Sequence, residues 1–370
     1  MEETNQTLHT SLLATMWKHR PSALQRRDYD RLSMGQLLQH YTADNRRAKE
    51  VVVPLPTTTT TLTQEPNNRK QPRCLRVVSW NVHFFVSPSG KTTTSDLVQE
   101  ILRHDPDVVV LNEFGAAPEC HIGSEACKFQ QTMMKQGYTT YKVANVEYPT
   151  AMFARLPVVS IEDITLDQER HALAMCLLWT PKIDANNDLD KEQTPVWIYG
   201  THLTHKEYWD GHRHQEMTAL LNHVHAHTNQ HHDLPVLVVG DFNQQREDDY
   251  TPEEWQRILA SKERRSARDS PVDLFGLFEE HGFVCVWDRD DDGDVDHEDD
   301  DVTPADKSTS DSNPRKCCWI KGQLPPATHW SGTIIDYKYS SRRLRNRGTF
   351  VSPSGLSDHR LIVTDWEILT

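Results

Sequence analysis

Five apolar, strand-like runs in this chain each lead to a residue able to bind a metal ion or a phosphate. LRVVSWN ends at Asn81, DVVVLNE at Glu113, VWIYGTH at His202 and LPVLVVGDFN at Asp241 and Asn243, and TIIDY carries Asp336. A sixth island, Ser357-Asp358-His359, stands just before the closing strand-like segment. Phosphoester hydrolysis needs a cation to neutralise developing charge, a base to activate water and donors around the phosphoryl oxygens. Mg²⁺ takes oxygen ligands and keeps several waters, so one or two carboxylates and an amide suffice; Mn²⁺ is the alternative ion. Glu113 is the expected ligand, because a charge closing an apolar run must reach solvent or a cation, and Asp358 and Asn81 complete the shell. Asp241 is the expected general base. Asn243, two residues on in an extended turn, points the same way to fix the water or a phosphate oxygen. His359 needs a partner to hold its tautomer, which Asp336 supplies, and His202 donates to a non-bridging oxygen. Singly, each residue could be a strand-end ion pair, a turn cap or a satisfied surface histidine. Six such islands in one chain argue instead for a metal-assisted phosphoester-cleaving site.

Continuous Val/Ile/Leu runs are what strands buried on both faces look like, and their ends lie at the sheet rim where loops present catalytic groups. Between Asn81 and Glu113, TSDLVQEILRH has helical spacing behind a Ser95 cap, giving a strand-helix-strand unit. YPTAMFARLPVVSIEDI and HALAMCLLW read as strands of a second set. GHRHQEMTALLNHVHAH and TPEEWQRILASKERRSAR read as helices following the His202 and Asp241 strands. Strands alternating with helices, with strand-strand connections in the middle, predict a mixed-sheet α/β fold.

Residues 1–53 read as a weakly amphipathic helical region, and PLPTTTTTLTQEPNNRKQP over 54–72 as a linker. Residues 73–370 form the main domain, with an acidic, disordered insertion at about 288–315. A hydrophobic fraction of 36% and a mean hydropathy of −0.68 fit a chain with such segments. There is no membrane-spanning run. The N-terminal stretch lacks the basic and apolar regions of a signal peptide, and seven cysteines without a CxxC pair point to reduced thiols, so the expected location is intracellular, cytoplasm or nucleus. The net charge of −14 is concentrated in Asp288–Asp301, which holds ten acids and one Arg. Within it, Asp288 to Asp299 fits the spacing of an EF-hand Ca²⁺ loop, but with Asp at the last position and a strand-like GFVCVW where a helix should enter. An acidic spacer is the preferred reading. SRRLRNR, directly after the Asp336 island, would place four Arg beside the site, where they would suit a nucleic-acid backbone.

SWNVHFF, LNEFG, YGTHLTH, VVGDFNQ, IIDYKY and SDHRLIV, in this order, resemble the endonuclease/exonuclease/phosphatase superfamily. The resemblance covers about Arg73 to Thr370. It implies a four-layer α/β sandwich of two mixed β-sheets flanked by helices, a Mg²⁺-dependent site and in-line attack of water on phosphorus. By motif, Asn81 and Glu113 match the family's metal-site pair, and His202 a histidine of its deoxyribonuclease and sphingomyelinase members. Asp241 and Asn243 match GDxN, Asp336 the orienting Asp, and Asp358 and His359 the terminal pair. Two positions depart from the pattern: His83 stands where many nuclease members have Asp or Gly, and Thr150 where an Asn is common. The expected substrate is nucleic acid or a nucleotide adduct. The alternatives are a lipid or small-molecule phosphoesterase of the same fold and a non-catalytic, Ca²⁺-responsive binding protein. Arg213 could face the substrate or pair with Glu207 or Glu216. Oligomeric state is not legible. Outside the islands, His223 and His227 have zinc-ligand spacing, but no Cys or acid near them in sequence completes a set.

Overall fold

The computed structural model describes residues 74–115, 124–142, 148–167, 170–180, 193–205, 211–230, 234–264, 273–288, 325–352 and 354–369. The expectations for residues 1–73 and for the acidic run beyond Asp288 lie outside them.

Two six-stranded mixed sheets stack face to face. The first contains β1 (Leu75–Asn81), β2 (Val108–Asn112), β3 (Thr139–Lys142), β4 (Ala151–Ala154), β11 (Leu344–Val351) and β12 (Ile362–Ile368), in the order β11-β12-β1-β2-β4-β3. The second contains β5 (Val158–Thr165), β6 (His171–Trp179), β7 (Thr194–His202), β8 (Val236–Asp241), β9 (Phe283–Cys285) and β10 (Asp336–Ser341), in the order β5-β6-β7-β8-β10-β9. The helices are α1 (Thr94–Arg103), α2 (Glu125–Lys135), α3 (His212–Gln230), α4 (Pro252–Arg264) and α5 (Leu274–Glu280). The apolar runs are continuous because both of their faces are covered. In β1 and β2, Val77 and Val110 belong to the large core shared with the second sheet. Val78, Trp80, Val109 and Leu111 pack on the other side with Leu97 and Ile101 of α1 and Phe129 and Met133 of α2. On the far face of the second sheet, Tyr337 and Tyr339 of β10 meet Phe275 and Phe278 of α5.

Two parallel pairs set the site. β1 runs beside β2 with Asn81 opposite Asn112, and β7 beside β8 with His202 opposite Asp241. Antiparallel β10 begins where β8 ends, placing Asp336 opposite Asp241. Gly240 permits this closure: a Cβ there would lie 1.8 Å from the Thr201 carbonyl oxygen, and its φ is +152°. Gly200 does the same between sheets, since its Cβ would stand 2.7 Å from Val110 Cγ1.

Three local expectations are corrected. Helix α1 is capped by Thr93, not Ser95, and Thr93 makes no side-chain cap bond. β4, grouped by sequence with the second set of strands, pairs with β2 and β3 in the first sheet. The Arg342–Arg347 cluster is not beside the site, because six-residue β10 runs away from Asp336 and carries the chain roughly 17 Å along before the turn. Arg345 and Arg347 pair there with Glu367.

Candidate active site

The strand ends gather their side chains around Asp241, which is 1% exposed. The Asn81 amide nitrogen donates to Glu113 Oε1 and to Asp241 Oδ2, both at 3.1 Å, while its oxygen accepts the His83 N–H. Asn81 therefore holds two carboxylates in register. His202 Nε2 lies 3.6 Å from Asp241 Oδ2 and 3.9 Å from Glu113 Oε1. His359 Nε2 approaches Asp241 Oδ2 at 3.6 Å, and its Nδ1 bonds Asp336 Oδ2 at 2.9 Å, the pairing expected from sequence.

The two imidazoles that flank Asp241 are held in opposite protonation states. Burial, with the Arg170 guanidinium beside it, pushes His202 well below the usual histidine range. Arg170 can only donate, and its NH1 faces His202 Nδ1 at 3.4 Å, so the neutral ring carries its proton on Nε2, toward Asp241. For His359, burial opposes the charge, but the Asp336 and Asp241 carboxylates outweigh it and hold the ring well above its usual range. Burial raises Asp241 to about 7, with Asp336 adding to the shift. A carboxylate tuned this way is matched to accept a proton near neutral pH.

Glu113 and Asp358 retain more exposure than Asp241 or Asp336, at 16% of each side chain, and stand on the open side of the cluster. Glu113 adopts a left-handed backbone, φ 53°, and burial pushes its carboxyl up. Asp358 pairs with His83, its Oδ2 lying 3.0 Å from Nδ1, and stands 4.0 Å from His329 Nε2. Burial alone would raise it, but His83 brings it well below the carboxylate range, and in turn Asp358 overrides the burial of His83 and lifts that ring to about 9. His83, the departure from the superfamily pattern, is thus the counter-ion of the expected ligand. Four carboxylates in one buried cluster, with Glu113 and Asp358 offering oxygens, fit a hard divalent cation.

Asn243 is fixed beside Asp241 by local bonds rather than by an extended turn. Its φ is 50°, its N–H caps Asp241 Oδ1 at 2.9 Å, and its side-chain nitrogen donates to the Leu203 carbonyl. The left-handed turn, which Asn tolerates, closes locally instead of continuing the strand. Arg213 is buried and donates to the Asn243 carbonyl; Glu216 accepts the Thr204 N–H at 2.8 Å.

Sequence reasoning missed several members. Asn112, one residue before Glu113, joins the sheets beneath the site: it donates to Thr150 Oγ1 and the Thr201 carbonyl and accepts the Asp241 N–H. Thr150 thus works as a partner of Asn112. Arg170 immediately precedes β6, and an Arg opening an apolar run was the available signal. His329 packs 4.7 Å from the His359 ring. Tyr148, partly exposed, meets the edges of His202 and His205, lies 5.9 Å from Phe84 and covers Arg170 at 4.2 Å.

The model of the endonuclease/exonuclease/phosphatase family matches residues 78–359, well over half of the chain. The chain belongs to that family. Its members are hydrolases acting on phosphoester bonds, and they generally use a divalent metal. Among curated proteins none matches it in sequence. The fold is similar to the human Nocturnin catalytic domain with bound sulfate anion, at 18% identity and a TM-score of 0.50, covering 83% of this chain and 100% of that one. It is also similar to an endonuclease/exonuclease/phosphatase from Beutenbergia cavernae, at 17% identity and a TM-score of 0.51, covering 80% and 72%. The two mixed sheets with their helices are the α/β sandwich of this family. Among the described residues, no helix is long and apolar enough to cross a membrane.

Proposed function

We propose that this protein is a Mg²⁺-dependent phosphoesterase that hydrolyses a phosphodiester or phosphomonoester bond in a nucleotide-containing substrate. The observation that carries the chemistry is Asp241 flanked by two imidazoles, with His202 Nε2 and His359 Nε2 each 3.6 Å from its Oδ2. Asp241 takes the proton of the attacking water. His202 Nε2–H and the His359 imidazolium donate to phosphoryl oxygens as charge builds there, and Asp336 keeps the His359 ring oriented. Glu113 and Asp358 would hold the cation, which when bound supplies positive charge to the phosphate. Asn81 keeps Glu113 and Asp241 at fixed separation. Nucleotide preference rests on Phe84 and Tyr148, two partly exposed rings 5.9 Å apart, Tyr148 against His202 with one face under the Arg170 guanidinium, which together can stack a base. The deciding assay offers labelled DNA and RNA, single- and double-stranded, a phosphotyrosyl-DNA adduct, sphingomyelin and p-nitrophenyl esters, each with Mg²⁺ or EDTA. Turnover of a nucleotide substrate, lost in EDTA and in Asp241→Asn and weakened in KM by Tyr148→Ala, is expected. Preferential cleavage of sphingomyelin would overturn the substrate class, and no turnover of any substrate would overturn the enzymatic reading.

A further inference from the structure

The two histidines left over from the zinc-like spacing acquire a third partner in the fold. His223 and His227 lie one turn apart on α3, and their rings stack with centroids 4.6 Å apart and planes at 23°. Glu162, which precedes His223 by 61 residues, projects from β5 between them: its Oε2 is 2.9 Å from His223 Nε2 and 3.4 Å from His227 Nε2. All three ligand atoms lie within 4.8 Å of one another. Zn²⁺ bound at about 2.0–2.1 Å by tetrahedral ligands holds neighbouring donor atoms about 3.3 Å apart, so small side-chain rotations bring this trio onto one ion.

We propose that Glu162, His223 and His227 form a second metal site, for Zn²⁺ or a similar imidazole-binding transition metal, independent of the phosphoester-cleaving centre. The ligand chemistry separates the two centres: two imidazoles and one carboxylate suit zinc, whereas Glu113 and Asp358 present only oxygens and suit magnesium. Trp197 and Tyr199 of β7 wall the trio edge-on, at 4.3 Å from His227 and 5.9 Å from His223, which fixes the ring planes. The three side chains keep 23–37% exposure, leaving an entry path and room for water as fourth ligand. The mechanical effect follows from position. β5 is an edge strand of the second sheet, and an ion there ties it to α3, whose first turn carries Arg213 and Glu216 toward the active site.

The test is zinc titration of the full chain in excess Mg²⁺, with Co²⁺ as a spectroscopic substitute. Wild type should bind one more equivalent of Zn²⁺ than His223→Ala/His227→Ala, show the intense visible bands of four-coordinate Co²⁺ and gain thermal stability on loading, with all three effects absent from the double variant. Glu162→Gln, which keeps the side chain's volume on an edge strand, carries the test if the double variant does not fold. It should weaken binding by more than the roughly 10–100-fold that losing an outer partner costs. Glu113→Gln should bind this equivalent as wild type does. Equal zinc stoichiometry and affinity in wild type and Glu162→Gln would overturn the site.

Discussion

Asp241 is poised by neighbours whose removal has distinguishable effects. Under the proposed roles, Asp241→Asn removes the base and His359→Ala a charged donor, and each is expected to lower kcat by about 10²–10⁴-fold with an unchanged circular dichroism spectrum. Near-full activity in Asp241→Asn would remove it from the chemistry. Arg170→Met acts through His202. Loss of the guanidinium removes a charge that lowers the His202 pKa and frees Nδ1 to take the proton. The His202 titration, followed by NMR of the imidazole, should move to higher pH, whereas a merely structural Arg170 would leave it in place. Asn81, Glu113, His202, Asp241, Asp336 and His359 were legible because each punctuates an apolar run. Tyr148 and His329 were not, because they reach the centre from loops, where polar residues are ordinary and carry no signal; Arg170 offered only the faint signal of an Arg opening an apolar run.

Helix α3 is tied to the end of β7 by Glu216, which is fully buried and accepts the Thr204 N–H. Burial lifts its carboxyl from an ordinary 4.5 to about 8. Between those values the folded chain keeps a proton that the unfolded chain has released, so stability falls as the pH rises through this window. Glu216→Gln retains the acceptor without the titration, and its urea-unfolding midpoint should decline less across the same range. Parallel slopes in the two proteins would show that Glu216 does not govern it. At this scale element type was readable from periodicity, whereas membership was not. Nothing in AMFA says that β4 joins β2 rather than β5, because the choice is made by the partner that buries it. The Glu162–His223–His227 trio escaped for the same reason: the acid arrives from another strand.

Between the two sheets sits Lys338, fully buried, with Nζ 3.1 Å from the Val77 and Ile362 carbonyls and 2.9 Å from Thr364 Oγ1. It rises from the second sheet to acceptors in the first. Burial, opposed only in part by the Asp365 carboxylate, pulls its pKa well below 10.5. The unfolded chain therefore binds this proton more readily, and stability should rise with pH toward that value. Lys338→Met should lose this alkaline gain, measured by urea unfolding at neutral and alkaline pH; an unchanged gain would mean the amine is charged in the fold. The two-sheet architecture was legible from runs apolar on both faces. A lysine clamped between the sheets was not, since KYSS within an otherwise apolar strand reads as a rim residue turned outward.

The pairing of β1 with β12, Leu75 opposite Trp366, places the first and last described strands side by side at the centre of one sheet. On a ribosome, β1 emerges long before its neighbour exists. Until the last motif leaves the exit tunnel the first sheet lacks its central seam, and Asp241 lacks the His359 imidazole. Contacts this distant in sequence also make folding slow. The site is thus completed only once the β12 motif has been made, and nascent chains that lack it hold Asp241 without the His359 imidazole.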